Sequence, residues 1–161
     1  MKTPQEYNEF YQDIINNWQQ IGFTFTGRAM PQPRLNARSR FAGKWNPGLQ
    51  KKADNYMAFQ RDVESQFIQQ MLTQYGKMFK IPDNSRIILN ADFYLAPHRG
   101  RQGDIDNFVK SILDILKNAG LFKDDVMVIS LQDCNKIPVK FPENQQSRIM
   151  LFWQDKDQFK G

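Results

Sequence analysis

The sequence has little of what disulfide frameworks and zinc sites require, since it contains one cysteine, Cys134, and one histidine, His98. This scarcity excludes a disulfide scaffold and a Cys/His zinc site built by the chain alone. No apolar run approaches the roughly 20 residues that a membrane-spanning helix needs, and the N-terminal residues lack the apolar core of a signal peptide. We therefore expect a cytoplasmic protein in which oxygen ligands hold any catalytic metal, which favours Mg²⁺ or Mn²⁺.

Acidic residues are missing from a long stretch of the chain, because none lies between Asp13 and Asp54. Proline and glycine recur within this stretch, which predicts a basic loop over residues 28–48. Acidic residues crowd instead between Asp104 and Asp125, and the whole chain has a formal net charge of +5. A phosphodiester ligand suits both regions, since cations hold its backbone and carboxylates hold a metal on one phosphate. A solvated basic surface is the alternative interpretation of the loop.

The hydrophobic spacing predicts an α+β fold in one domain over residues 1–161. A capping box at Thr3 and Glu6 begins the first helix, and Gly120 ends the third helix. Helical periodicity and strand alternation predict three helices, over 4–20, 49–79 and 105–119, and four strands, around 21–25, 87–95, 126–131 and 149–153.

The acidic residues at both ends of the third predicted helix are candidate metal ligands. Asp106, Lys110 and Lys117 lie on one edge of the apolar stripe of this helix. If the start of the helix lies beside the start of the next strand, up to four carboxylates converge on one divalent cation: Asp104, Asp106, Asp124 and Asp125. Lys110 then lies near the bound phosphate, where it can stabilise charge or protonate a leaving oxygen.

A purely structural interpretation of the same residues is equally compatible with their spacing. Asp104 is then an N-cap, and Asp124 and Asp125 form a turn. Asp106, Lys110 and Asp114 form a ladder of ion pairs spaced four residues apart. Spacing alone does not choose between this ladder and a metal site.

A longer motif favours the metal site. The chain carries D-x-D-N-x-x-K-x-x-x-D-x-L followed by A-G-x-x-x-D-D-x-x-V. This pattern resembles the RusA family of Holliday-junction resolvases, and weaker similarity extends over residues 21–153. Residues 1–20 then form a helical N-terminal extension. The motif positions are Asp104, Asp106, Asn107, Lys110, Asp114, Leu116, Ala119, Gly120, Asp124, Asp125 and Val128.

The resemblance implies a small mixed β-sheet packed by helices and a homodimeric, Mg²⁺-dependent endonuclease. Such an enzyme binds four-way DNA junctions and nicks two opposing strands symmetrically, in DNA recombination and repair. The motif positions imply that Asp104, Asp106 and Asp125 bind the metal and that Lys110 is the essential lysine beside them. Asp124 is an additional candidate ligand, and we assign Asp114 either to structure or to a supporting position behind the metal ligands.

Further candidate DNA contacts lie in the two loops that precede the motif. The cations expected to bind phosphates are Arg34, Arg38, Arg40, Lys44, Arg99 and Arg101. Phe41 and Trp45 are candidates for stacking on an open base step, with loop or core packing as the alternative. His98 is either a phosphate contact or a solvated loop residue.

Two other function classes are compatible with parts of the sequence. The first is a non-catalytic, basic DNA-binding protein, against which the carboxylates argue because they repel DNA unless a metal neutralises them. The second is a D-x-D metal transferase acting on a nucleotide-sugar. The sequence contains neither a G-x-G-x-x-G motif nor a P-loop, so it offers no support for a nucleotide site of those kinds.

Overall fold

The fold combines helices with one four-stranded sheet, which confirms the predicted α+β class. The computed structural model describes residues 1, 3–33, 47–98 and 102–155. In chain order the described elements are α1 (Pro4–Asn17), β1 (Gln19–Thr26), α2 (Pro47–Tyr75), β2 (Ser85–Leu95), α3 (Ile105–Asn118), β3 (Val128–Pro138) and β4 (Gln146–Asp155). Short 3₁₀ turns precede the last two strands, at Asp125–Met127 and Pro142–Asn144. None of these helices is long and apolar enough to cross a membrane.

The sheet is mixed, with the strand order β1-β4-β2-β3. Strand β4 pairs antiparallel with both β1 and β2, whereas β2 and β3 are parallel, with Ile87 opposite Val128. Parallel neighbours need a crossover, and α3 provides it. This helix carries the chain from the end of β2 to the start of β3, which lie at opposite ends of these two neighbouring strands.

The N-terminal helix α1 covers one face of the sheet. Its predicted capping box is present, because Thr3 and Glu6 each bond the other's backbone N–H. Ile14 and Trp18 are buried with Ile88 and Phe152 of the sheet. The helix ends at Asn17 rather than at residue 20, since β1 already pairs with β4 from Gln19 onward.

Helices α2 and α3 cover the opposite face and enclose the main core. Every second residue of β1 is buried there, as the alternation predicts. The buried face of α2 includes Phe67, whose ring lies 4.9 Å from that of Phe23. The helix is shorter than the predicted 49–79 at its end, because Gly76 with a φ of 69° follows its last residue.

Helix α3 agrees closely with the prediction. It buries Phe108 against Phe93 of β2, with ring centroids 5.4 Å apart, and Gly120 with a φ of 82° lies just beyond its end. The strand that follows starts and ends later than predicted. A 3₁₀ turn occupies Asp125–Met127, and pairing with β2 then continues to Pro138. Strand β4 is also longer than the predicted 149–153, because both of its neighbours pair with it.

Candidate active site

Two motif carboxylates lie at the N-terminal end of α3. Asp104 occupies the N-cap position, where its backbone oxygen accepts from Asn107 N at 3.1 Å. Its side chain makes no capping hydrogen bond. The residue therefore has the N-cap position that the structural interpretation predicts, but its carboxylate does not cap the helix. Asp106 lies in the first turn. The positive end of the helix dipole favours both charges.

Lys110 lies beside Asp106, as both the metal-site and the ladder interpretations predict. Its Nζ atom is 3.9 Å from Asp106 Oδ2, and the two side chains are 60% and 55% exposed. Ion pairs this open contribute little to stability, typically about 0–1 kcal/mol. The pair therefore holds an ammonium group next to the acidic helix start while leaving both groups accessible to a ligand.

The second acidic group of the motif consists of Asp124 and Asp125, and it lies beside Lys117 near the C-terminal end of α3. Lys117 Nζ lies 3.5 Å from Asp125 Oδ2, and Asp125 Oδ1 is buried without a hydrogen-bond partner among the described residues. A buried carboxylate oxygen without a partner is compatible with a residue that binds a cation. Asp124 has a local role, because its side chain accepts from Val126 N at 3.2 Å and caps the 3₁₀ turn.

Asp114 connects this group to a distant part of the chain. Gln32 Nε2 donates to Asp114 Oδ2 at 2.9 Å, so Asp114 bonds a residue outside the predicted Asp106–Lys110–Asp114 ladder. Burial raises the pKa of Asp114; Lys117 opposes this shift and Asp125 adds to it. Gln32 is thus a hydrogen-bond partner of Asp114 that the motif does not indicate. Its only signal in the sequence is its place within the predicted basic loop, residues 28–48.

The two acidic groups do not meet within one chain. Asp106 and Lys117 are eleven positions apart in α3, which separates their Cα atoms by about 16 Å along the helix. Among the described residues, no three His, Cys, Asp or Glu side chains are placed to hold one metal ion. The crossover explains the separation, because a helix between parallel strands runs back across the sheet. The start of α3 and the start of β3 therefore lie at opposite ends of the strands rather than side by side.

A cleft opens beside Asp104. Gln32 N donates to Asn107 O at 3.0 Å, which fixes the first part of the basic loop along the start of α3. Gly103, with a φ of 101°, lets this segment approach, since a Cβ there would lie 2.8 Å from Pro31 Cγ. The cleft has a volume of about 300 Å³ and is lined by Pro31, Gln32, Pro33, Lys52, Gly103, Asp104 and Asn107.

A second cavity adjoins this cleft. It measures about 350 Å³ and shares Gln32, Pro33 and Lys52 with the cleft; its other lining residues are Leu49, Ala53, Tyr56 and Met57. Pro33 and Leu49 lie on either side of residues 34–46 in the sequence. The described ends of the basic loop therefore lie close to the acidic start of α3.

Lys136 of β3 supports the same turn from another side. Its Nζ atom donates to Gly103 O at 2.9 Å, which holds the residue before Asp104. No sequence signal singles out Lys136, because this contact depends on the pairing of β3 with β2. His98 is exposed at the end of a described segment. The predicted contacts Arg34, Arg38, Arg40, Lys44, Arg99 and Arg101, together with Phe41 and Trp45, lie outside the described residues.

Comparison with known families identifies the chain. It matches the family described as Endodeoxyribonuclease RusA over residues 27–150, which is more than half of its length. The chain belongs to the RusA endodeoxyribonuclease family. The RusA match includes the whole motif and both acidic groups, and it leaves α1 outside, in agreement with the predicted N-terminal extension. It supports an endodeoxyribonuclease that resolves Holliday junctions. No curated protein matches the chain.

Proposed function

We propose that the chain is a Mg²⁺-dependent endonuclease that resolves four-way DNA junctions by symmetric nicking, in DNA recombination and repair. The observation that carries this proposal is the pair Asp104 and Asp106 at the positive end of α3, in the RusA motif, where Asp104 lines a cleft that also carries a lysine. Pro33 and Leu49, on either side of residues 34–46, line the cavity that adjoins this cleft, and we propose that the arginines between them hold the DNA arms.

The donor set suits a hard divalent cation. Asp104, Asp106 and Asp125 offer carboxylate oxygens, and Mg²⁺ commonly binds one or two carboxylates while it keeps several waters. Mn²⁺ accepts the same ligands. A bound ion would supply charge stabilisation at the scissile phosphate and activation of a water molecule. Lys110, held next to Asp106, stabilises charge on the phosphate or donates a proton to the leaving oxygen.

We further propose a homodimer, because a four-way junction with two symmetric nicks calls for two related active sites. The position of Asp125 adds a physical reason. Leu121 and Phe122 are fully buried and Leu121 O accepts from Ile81 N at 2.7 Å, so the segment leading to Asp125 is held in the core. If three carboxylates share one ion, a second copy is then the source of Asp125.

An exposed apolar surface next to Asp125 supports this assembly. Val126 is 80% exposed, and Ile129 and Leu131 are about half-exposed on β3. Strand β3 is at the edge of the described sheet, and an edge strand presents backbone groups with which a partner strand can pair. Apolar side chains on an open edge are typical of a surface that another chain covers.

The alternative is a non-catalytic DNA-binding protein that uses the basic loop alone. One assay separates the two: nicking of a four-way junction in Mg²⁺ and in EDTA, with flaps, forks and duplex of the same sequence as competing substrates. Paired nicks in opposing strands of the junction, in Mg²⁺ only, support the nuclease. Junction binding without nicks in either condition supports the alternative.

A further inference from the structure

Lys52, a lysine outside the motif, lies beside the acidic start of α3. Lys110 is paired with Asp106, and Lys136 is bonded to Gly103 O. Lys52 of α2 lines the cleft beside Asp104, yet no carboxylate in the described part of the chain forms an ion pair with it. A cation in this position is available to an anionic ligand.

The packing of α2 on α3 determines where Lys52 lies. Tyr56, one turn further along α2, is buried and lines the second cavity together with Gln32, whose backbone N–H donates to Asn107 O at the start of α3. Residues four apart share a helix face, so Lys52 lies on the same face and opposite the start of α3. Lys51 lies about 100° around the helix and lines neither cavity. Two adjacent lysines of identical chemistry therefore differ in their access to the cleft.

We propose that Lys52 binds a backbone phosphate of the DNA strand that is cut, next to the phosphate at Asp104 and Asp106. The ligand class is a phosphodiester, for which an ammonium group on a long side chain acts as a point charge. Carboxylates alone repel the DNA strand, and Lys52 offsets that repulsion at the wall of the cleft. This inference rests on the proposed function and adds a substrate-binding residue from α2.

The test compares Lys52→Ala with Lys51→Ala on four-way junctions. In a series of these junctions, a single neutral methylphosphonate linkage replaces one phosphate at a time around the nicking site. On unmodified DNA, Lys52→Ala raises KM about tenfold with kcat nearly unchanged, since the contact exists before and during the reaction. The slope of the logarithm of its binding constant against the logarithm of the salt concentration falls in magnitude by about one. Lys51→Ala remains near the wild type, and Lys52→Arg restores KM.

The neutral linkages identify the contact itself. One linkage weakens wild-type and Lys51→Ala binding about tenfold and has no effect on Lys52→Ala, because the partner charge is already gone. If every linkage weakens Lys52→Ala as much as the wild type, Lys52 contacts no phosphate and the inference is wrong. If the wild type makes no nicks in Mg²⁺, the proposed function fails instead, which the unmodified junction reveals directly. Unchanged melting temperatures show that all variants fold.

Discussion

Lys117 Nζ lies 3.5 Å from Asp125 Oδ2, and this contact holds the last acidic residue of the motif against the final turns of α3. The other oxygen of Asp125 is buried without a hydrogen-bond partner in the described chain. Lys117 thus orients the carboxylate through Oδ2, on the partly exposed side of Asp125. The pair is at the opposite end of α3 from Asp104 and Asp106, which makes its contribution to nicking testable separately.

Replacing Lys117 with Met should lower kcat for junction nicking about tenfold, since Asp125 loses the contact that orients it. The two side chains are 36% and 44% exposed, so the free energy of unfolding should fall by less than about 1 kcal/mol. Lys123→Met is the matched control, because Lys123 is exposed and lies near Asp125 in sequence. Equal kcat values for the two variants would show that Lys117 does not position Asp125.

Gly103→Ala should destabilise the protein by about 1–3 kcal/mol, because the residue has a positive φ and its new Cβ would lie 2.8 Å from Pro31 Cγ. Gly76→Ala is the matched control. Gly76 also has a positive φ but nothing lies within 4 Å of a Cβ there, so its cost should be about 1 kcal/mol. Denaturant unfolding of both variants measures the difference, and equal losses would mean that Pro31 yields without cost.

Asp114→Asn should raise the free energy of unfolding at pH 7. Burial raises the pKa of Asp114, so over some pH interval the folded state holds a proton that the unfolded state has released. Ionising Asp114 therefore costs stability above that interval, and the cost disappears as the pH falls below the ordinary carboxyl pKa of about 4. The advantage of Asn should vanish there too. An advantage that persists at pH 3 would assign the effect to packing instead.

Mixing two inactive variants should restore partial activity if a second copy supplies Asp125. In a heterodimer of Asp106→Asn and Asp125→Asn, one of the two shared sites keeps all its carboxylates, so single nicks should appear in the junction. Light scattering should give about twice the chain mass of 19.0 kDa. A dimeric mixture with no nicks would mean that each chain builds its own site, and a strict monomer on junction DNA would exclude the assembly.

Local patterns predict the elements better than they predict the site. The apolar spacing of α3 and the glycine after it locate that helix almost to the residue, because both signals lie within the helix and its cap. The Gln32–Asp114 bond and the placement of Lys52 beside Asp104 depend on how α2 and the first part of the basic loop pack on α3. Spacing also left open whether Asp125 approaches Asp106, since that depends on the direction of a crossover helix between parallel strands.

The central claim is that the motif carboxylates hold a catalytic metal, and Asp106→Asn tests it most directly. The change removes a ligand charge and the Lys110 ion pair while it keeps the size of the side chain. Nicking of a four-way junction in Mg²⁺ should fall by orders of magnitude, since a metal ligand contributes several kcal/mol to transition-state stabilisation. Junction binding in EDTA should persist or tighten, and the melting temperature should change little. A variant that melts early yet nicks at the wild-type rate would contradict the account and support the ion-pair ladder.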